Sequence, residues 1–127
     1  MITLKQYKIV TGNPGAYYLT IPPEYIRTFS LSKSQRLYAY MGERELRFKR
    51  NSVVTSTQDN SLVPLGMYHI SSNGLRGHKV TVPKIFMNAK NLDLGSQLTA
   101  SMTKEGDLVY RKEYNVDTVK EYTNTTK

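Results

Sequence analysis

The feature that most limits what this chain can fold into is its likeness to itself. Sliding the 127-residue sequence along itself by 61 positions pairs Tyr7 with Tyr68, Ile9 with Ile70, Thr20 with Thr81, Pro22 with Pro83 and Leu31 with Leu92. The same offset then pairs Leu37, Ala39 and Met41 with Leu98, Ala100 and Met102. Eight identities over the 37 columns from 5 to 41 exceed the roughly two or three that average composition would give. Leu19 with Val80, Ile21 with Val82 and Ile26 with Met87 add conservative pairs at core-type positions. Beyond these the offset becomes 62, matching Leu46 and Phe48 to Leu108 and Tyr110, as one extra residue in the turn holding Lys104, Glu105, Gly106 and Asp107 would require. A gap confined to a turn is what a structural repeat tolerates best.

Each copy carries the same local signals. Tyr7 and Ile9, like Tyr68 and Ile70, alternate with polar neighbours as a half-buried strand does. The stretches Thr11 to Gly15 and Ser71 to Gly77 are rich in the Gly, Asn, Pro and Ser of tight connections. Strands follow at Tyr17 to Ile21 and His78 to Val82, and Pro22 and Pro83 end them, having no amide hydrogen for the ladder and fitting a helix start. Short helices are predicted at Pro23 to Phe29 and Lys84 to Lys90; two turns are too few to be stable without tertiary support. Closing hairpins are predicted at Arg36 to Met41 with Glu45 to Arg50, and at Gln97 to Met102 with Leu108 to Lys112. The expected fold is mainly β with short helices, in the order β-β-α-β-β twice. Its divisions are residues 1–50, a Ser-, Thr- and Asn-rich linker at 51–66 with room for a short covering strand, residues 67–113, and a tail at 114–127.

Charge narrows the partners. Eighteen Lys and Arg against ten Asp and Glu give +8, a balance that favours polyanions through long-range attraction and counterion release. Nine basic and three acidic residues lie in 1–50, and seven and four in 67–113, so the excess sits in the two repeated segments and not in an arm. Without cysteine there is no disulfide, thiolate metal site or cysteine nucleophile. No apolar run reaches the roughly 18 residues of a membrane span. Met1 to Val10, with Lys5, Gln6 and Lys8, does not read as a signal peptide, so a cytoplasmic, nucleoid-associated protein is expected. Enzymatic chemistry has no carrier: His69 and His78 are too few for a metal site, and no carboxylate pair, nucleophile motif or phosphate-cradling glycine loop is present. No cofactor, membrane or small-molecule substrate is expected.

The run Leu19-Thr20-Ile21-Pro22-Pro23-Glu24-Tyr25-Ile26, with Leu31 nine residues past the proline, a strand ending at Gly42 and a basic strand Arg47 to Arg50, resembles the AbrB (SpoVT-AbrB, MazE-like) swapped-hairpin family. Val80-Thr81-Val82-Pro83-Lys84 with Leu92-Asp93-Leu94-Gly95 repeats the pattern, and the likeness covers most of the chain. It implies two units that interleave their hairpins into a barrel-like dimer binding duplex DNA, as a transcription regulator or a chromatin-like protein. Here two copies in one chain, joined by a linker of about 16 residues able to span roughly 50 Å, imply an intramolecular pseudo-dimer, with self-association beyond it left open.

The resemblance also implies where DNA is met, namely at basic residues around the first hairpin and the short helix. The basic site two residues before the threonine is Tyr18 in one copy and Lys79 in the other; the helix site five residues after the proline is Arg27 in one and Asn88 in the other. Each copy keeps half the pattern, which points to an asymmetric or weakly specific footprint. Alternation supports part of this independently: with Leu19, Ile21, Tyr7 and Ile9 inward, Lys8, Tyr18, Thr20, His69, Lys79 and Thr81 face outward, with Arg76 and His78 near the edge of that surface. The expected DNA-binding set is Lys8, Tyr18, Arg27, Arg76, His78, Lys79 and Lys84, the Lys and Arg neutralising phosphates. Arg44, Arg47, Lys49 and Arg50, interleaved with Glu43 and Glu45 on a remote hairpin, read instead as ordinary solvated charges. Two other functions fit the sequence less well. Ten tyrosines among cations could stack unpaired bases, and an antitoxin-like or oligomerisation module could bind protein in place of DNA.

Overall fold

The computed structural model describes residues 1–12, 15–51, 61–72 and 77–112. The strands are β1 (Ile2–Lys8), β2 (Val10–Thr11), β3 (Tyr17–Ile21), β4 (Arg36–Met41), β5 (Glu45–Lys49), β6 (Val63–His69), β7 (Ser71–Ser72), β8 (His78–Thr81), β9 (Gln97–Met102) and β10 (Leu108–Arg111). Helix α1 (Pro23–Phe29) follows β3 and α2 (Lys84–Ala89) follows β8. The same succession of elements therefore runs twice along the chain, and the expectation of a mainly β protein with short helices agrees with it. The linker expected at 51–66 is shorter than that, because β6 already begins at Val63. The rest of that reading, at 52–60, and the tail at 114–127 lie outside the described residues.

The prolines act where the sequence places them. Pro22 sits at φ −55°, ψ 134°, and Pro83 at φ −60°, ψ 136°, extended residues from which a helix departs. The Pro22 carbonyl accepts from the amides of Tyr25 and Ile26, and the Pro83 carbonyl from that of Met87. A left-handed residue follows both helices, Ser30 at φ 50° directly after α1 and Asn91 at φ 54° one residue past the Lys90 cap of α2, 61 positions apart. The amide of the next residue then bonds back over the last turn, Leu31 to the Ile26 carbonyl at 3.0 Å and Leu92 to that of Met87 at 2.9 Å. A second left-handed pair, Ser34 at φ 75° and Gly95 at φ 89°, recurs at the same spacing.

The strands form two antiparallel sheets, of order β1-β9-β10-β5-β4-β6 and β2-β3-β8-β7. Pairings within a half join β2 to β3, β4 to β5, β7 to β8 and β9 to β10, and every other pairing crosses between the halves. The opening strand of each half lies on a later strand of the other, β1 on β9 and β6 on β4, while β5 pairs with β10 and β3 with β8 at the two centres. Neither half could bury its apolar faces without the other. Ile9, Leu19, Ile21, Tyr25, Leu37, Leu46, Phe48, Ile70, Val80, Phe86, Leu98, Leu108 and Tyr110 form one core between the sheets.

The two sheets remain separate and do not close into the barrel expected. The physical reason lies at Ile9 and Ile70, where the chain passes from the larger sheet to the smaller. There the ladder is interrupted, because the backbone bonds go to turns: the Ile9 amide donates to the Ser96 carbonyl and its carbonyl accepts from Gly95, while Ile70 does the same with Gln35 and Ser34. The edge strands β1 and β6 carry register shifts near Leu4 and Leu65, and β6 also has Pro64. Such features blunt an edge against further pairing.

Side chains fasten the halves asymmetrically. The Tyr25 hydroxyl donates to the Gly106 carbonyl at 2.6 Å, and the Tyr110 hydroxyl to the Thr20 carbonyl at 2.6 Å. The residues at the repeat-equivalent positions are Phe86 and Phe48, which have no hydroxyl. Gly106, at φ 90°, has to be glycine for a second reason: a Cβ there would stand 2.7 Å from the Phe29 ring and from the Arg50 guanidinium. Arg50 in turn lies over the Phe29 ring, 3.7 Å from its centre.

Candidate nucleic-acid interface

Each sheet turns one face to the core and one outward, and the two outward faces differ in charge. On the larger sheet, β5 and β10 meet in the register Val109↔Arg47 and Arg111↔Glu45. Arg111 bonds Glu45 at 2.9 Å and Lys49 bonds Asp107 at 3.0 Å. These two ion pairs are repeat equivalents, Glu45 with Asp107 and Lys49 with Arg111, each joining the two halves. Arg47 lies between them, 2.6 Å from Glu45 and 3.2 Å from Asp107. Burial alone would lower the Arg47 pKa, but the hydrogen bond and charge of Glu45, reinforced by Asp107, hold it above its ordinary range. These cations were expected to be solvated; Arg47 and Lys49 are instead ion-paired, and Arg50 is stacked on an aromatic ring.

The smaller sheet has no Asp or Glu in any of its strands. Its central register, Tyr18↔Thr81, Leu19↔Val80, Thr20↔Lys79 and Ile21↔His78, sends Leu19, Ile21 and Val80 into the core and leaves Tyr18, Thr20, Lys79 and Thr81 on the outer face. Tyr18 was expected to stand exposed there, and it is 92% covered: only 8% of its surface is accessible. The reason is the Lys79 ammonium, 4.2 Å from the centre of the Tyr18 ring, a cation–π contact across diagonal neighbours. Gly12 leaves room for it, since a Cβ there would come within 3.0 Å of the ring and 3.3 Å of the ammonium.

Beside this pair an open groove of about 620 Å³ is lined by Tyr18, Lys33, Ser34, His69, Ile70, Ser71, Ser72 and Lys79. Its walls come from both halves, pinned together by the Ser34 amide on the Ile70 carbonyl at 2.7 Å and the Ile70 amide on the Gln35 carbonyl at 2.8 Å. No carboxylate among the described residues lines it. Among the described residues neither Lys33 nor Lys79 makes an ion pair.

The structure brings together part of the expected set. Tyr18 and Lys79 share the groove, and His69, outside that set but expected on the same outer surface, lines it with them. Lys8, expected beside them, is exposed at the end of β1 opposite Gln97, at the position equivalent to His69 at the end of β6, and does not line the groove. His78, expected at the rim of the outer surface, pairs with Ile21 and is half-buried on the core-facing side, because its parity is that of Val80. Arg27 is exposed on α1, away from the groove lining, and Lys84 is exposed at the start of α2 with its ammonium near Gly15. Arg76 lies outside the described residues. Lys33, Ser34, Ser71 and Ser72 were not anticipated. Their polarity alone marks any surface loop, and only the contrast of Lys33 with its repeat equivalent Leu94 hints at a role.

Among the described residues no cluster of His, Asp and Glu could hold a metal ion, and no helix is long and apolar enough to cross a membrane. Comparison with family models, with curated proteins and with solved structures gives no match to this chain.

Proposed function

We propose that this chain is a double-stranded DNA-binding protein, a tandem AbrB-like swapped-hairpin pseudo-dimer within one polypeptide, acting as a transcription regulator or chromatin-like factor. The observation that carries this reading is the separation of charge. At the seam of β5 and β10 in the larger sheet, Arg47, Lys49 and Arg111 are neutralised by Glu45 and Asp107, whereas the groove beside the smaller sheet gathers Lys79 of β8, Lys33 of a turn and the His69 ring at the end of β6, with no carboxylate among its described lining. Ammonium groups with no ion pair, held side by side, suit a phosphate backbone, since each phosphate neutralised releases a counterion. The crossed pairing of β1 with β9 and β6 with β4 supports the swapped arrangement. Tyr18 and Asn88, standing where the family pattern has basic residues, support weak or asymmetric sequence preference.

Gel shifts with random duplex, promoter duplex and single strand across a salt series test it. Duplex affinity is expected to fall steeply with salt, and Lys79→Ala to weaken it without lowering the melting temperature by more than a few degrees. An absent or salt-independent shift rejects the proposal. A second reading, an oligomerisation module, is favoured by the exposed Val63 and Met67 on edge strand β6; sedimentation to a defined multimer with no DNA shift would select it.

A further inference from the structure

The repeat makes it possible to ask whether the groove has a twin. Carried along by 61 residues, its lining of Lys33, Ser34, His69, Ser71 and Ser72 becomes Leu94, Gly95, Lys8, Val10 and Thr11, while Tyr18 and Lys79 exchange with each other. The backbone frame is shared: the Gly95 amide meets the Ile9 carbonyl at 2.9 Å as the Ser34 amide meets that of Ile70 at 2.7 Å. The chemistry is shared only in part. One side has the Lys33 ammonium, the His69 ring and the hydroxyls of Ser34 and Ser71; the other has the Lys8 ammonium, but Leu94 and Val10, 56% and 46% exposed, stand in place of Lys33 and Ser71, and the Thr11 hydroxyl is bonded to the Ala16 carbonyl.

We infer that the groove is a binding site for one phosphate group, present on one side only of the pseudo-symmetric molecule. Two ammonium groups supply charge-assisted donors, and the His69 ring and serine hydroxyls add neutral ones. Among the described residues no carboxylate opposes an anion there. The inference rests on the DNA-binding reading for its expected occupant, a backbone phosphodiester, and free inorganic phosphate is the other source of the same chemistry. A duplex would then be gripped on one side of the pseudo-symmetric molecule more than on the other, so the footprint has no two-fold symmetry.

The test uses the full chain, a short duplex and inorganic phosphate, with the amides of Ser34, Ser71 and Ser72 followed by NMR. Lys33→Leu places in this groove the residue that its twin already tolerates, and Leu94→Ala serves as the control. Duplex is expected to shift the three amides; Lys33→Leu should weaken duplex binding roughly five- to tenfold and flatten the slope of log affinity on log salt by about 0.9, one phosphate's worth, while Leu94→Ala changes neither. Normal duplex binding by Lys33→Leu, with an unchanged slope, overturns the groove and leaves the DNA reading intact. If duplex does not bind but phosphate moves the same amides, and Lys33→Leu abolishes that, the groove stands and the DNA reading falls. Amides that respond to neither probe overturn the groove.

Discussion

The two outward faces of this molecule are built from the same repeated strands and do opposite things with their charge. Across β5 and β10, acids at equivalent positions of the two halves, Glu45 and Asp107, are almost buried and each is met by a base from the other half. Across β3 and β8, the facing positions carry Tyr18, Thr20, Lys79 and Thr81, and charge is held only against an aromatic ring. The first arrangement uses charge to join the halves; the second leaves it available to a ligand. A repeat therefore need not give two equal faces, because each seam lies at a different place in the unit and so brings different residues together.

The largest expected effect separates the faces by stability. Asp107→Asn keeps the shape but leaves Lys49 and Arg47 short of a partner at a seam where Asp107 is 7% exposed. It should cost about 2–3 kcal/mol, less than a fully buried pair because Lys49 is partly solvated. Denaturant melts check this, and DNA affinity should stay within about twofold when measured on folded protein. Lys79→Ala should give the converse: under about 1 kcal/mol of stability from the lost ring contact and a clear loss of duplex affinity. If both variants lose both properties, the division between faces is wrong.

Alkali should act next. Burial pushes the Tyr25 hydroxyl up from 10.0 to about 12, with Arg50 opposing and Asp107 adding to the rise, and burial likewise raises Tyr110 well above its ordinary value. Both protons are held more tightly folded than unfolded. Stability is therefore complete below pH 10 and declines between about pH 10 and 12, by on the order of 2 kcal/mol for Tyr25 alone. Tyr25→Phe should shrink that decline while costing about 1 kcal/mol at neutral pH for the hydrogen bond to Gly106. Equilibrium unfolding against pH reads both.

The smallest expected effects sharpen the comparison within the repeat itself. Ser34→Gly, matching its equivalent Gly95, should raise stability by about 0.5–1 kcal/mol by relieving a φ of 75°. Tyr7→Phe should be neutral or stabilising by up to about 1 kcal/mol, since the buried Tyr7 hydroxyl has no hydrogen-bond partner among the described residues. Loss of stability in either variant would mean that these positions carry an interaction the equivalent half lacks.

Much of the local structure was legible beforehand. Alternation gave β3 and β8, and Pro22 and Pro83 gave the helix starts, because both signals act within a few residues. The candidate site was only partly legible. The parity that put Lys79 outward was correct, yet parity says nothing of depth, and Tyr18 is covered because a lysine 61 residues away lies over its ring. His78 was assigned to the rim although its own alternation with Val80 turns it to the core side. Lys33 entered the groove through a turn pinned to Ile70 by backbone bonds, a contact no spacing announces.

By itself the sequence determined the repeat, its element order and its net positive charge, since these follow from composition and from neighbours a few residues apart. Tertiary structure alone decided that β1 would lie on β9 and not beside its own half, that the sheets would stay open at Ile9 and Ile70, and which lysines would be neutralised. Those outcomes depend on pairs of residues 22 to 100 positions apart in the chain, whose meeting is set by the burial of one shared core, an energy no local segment contains.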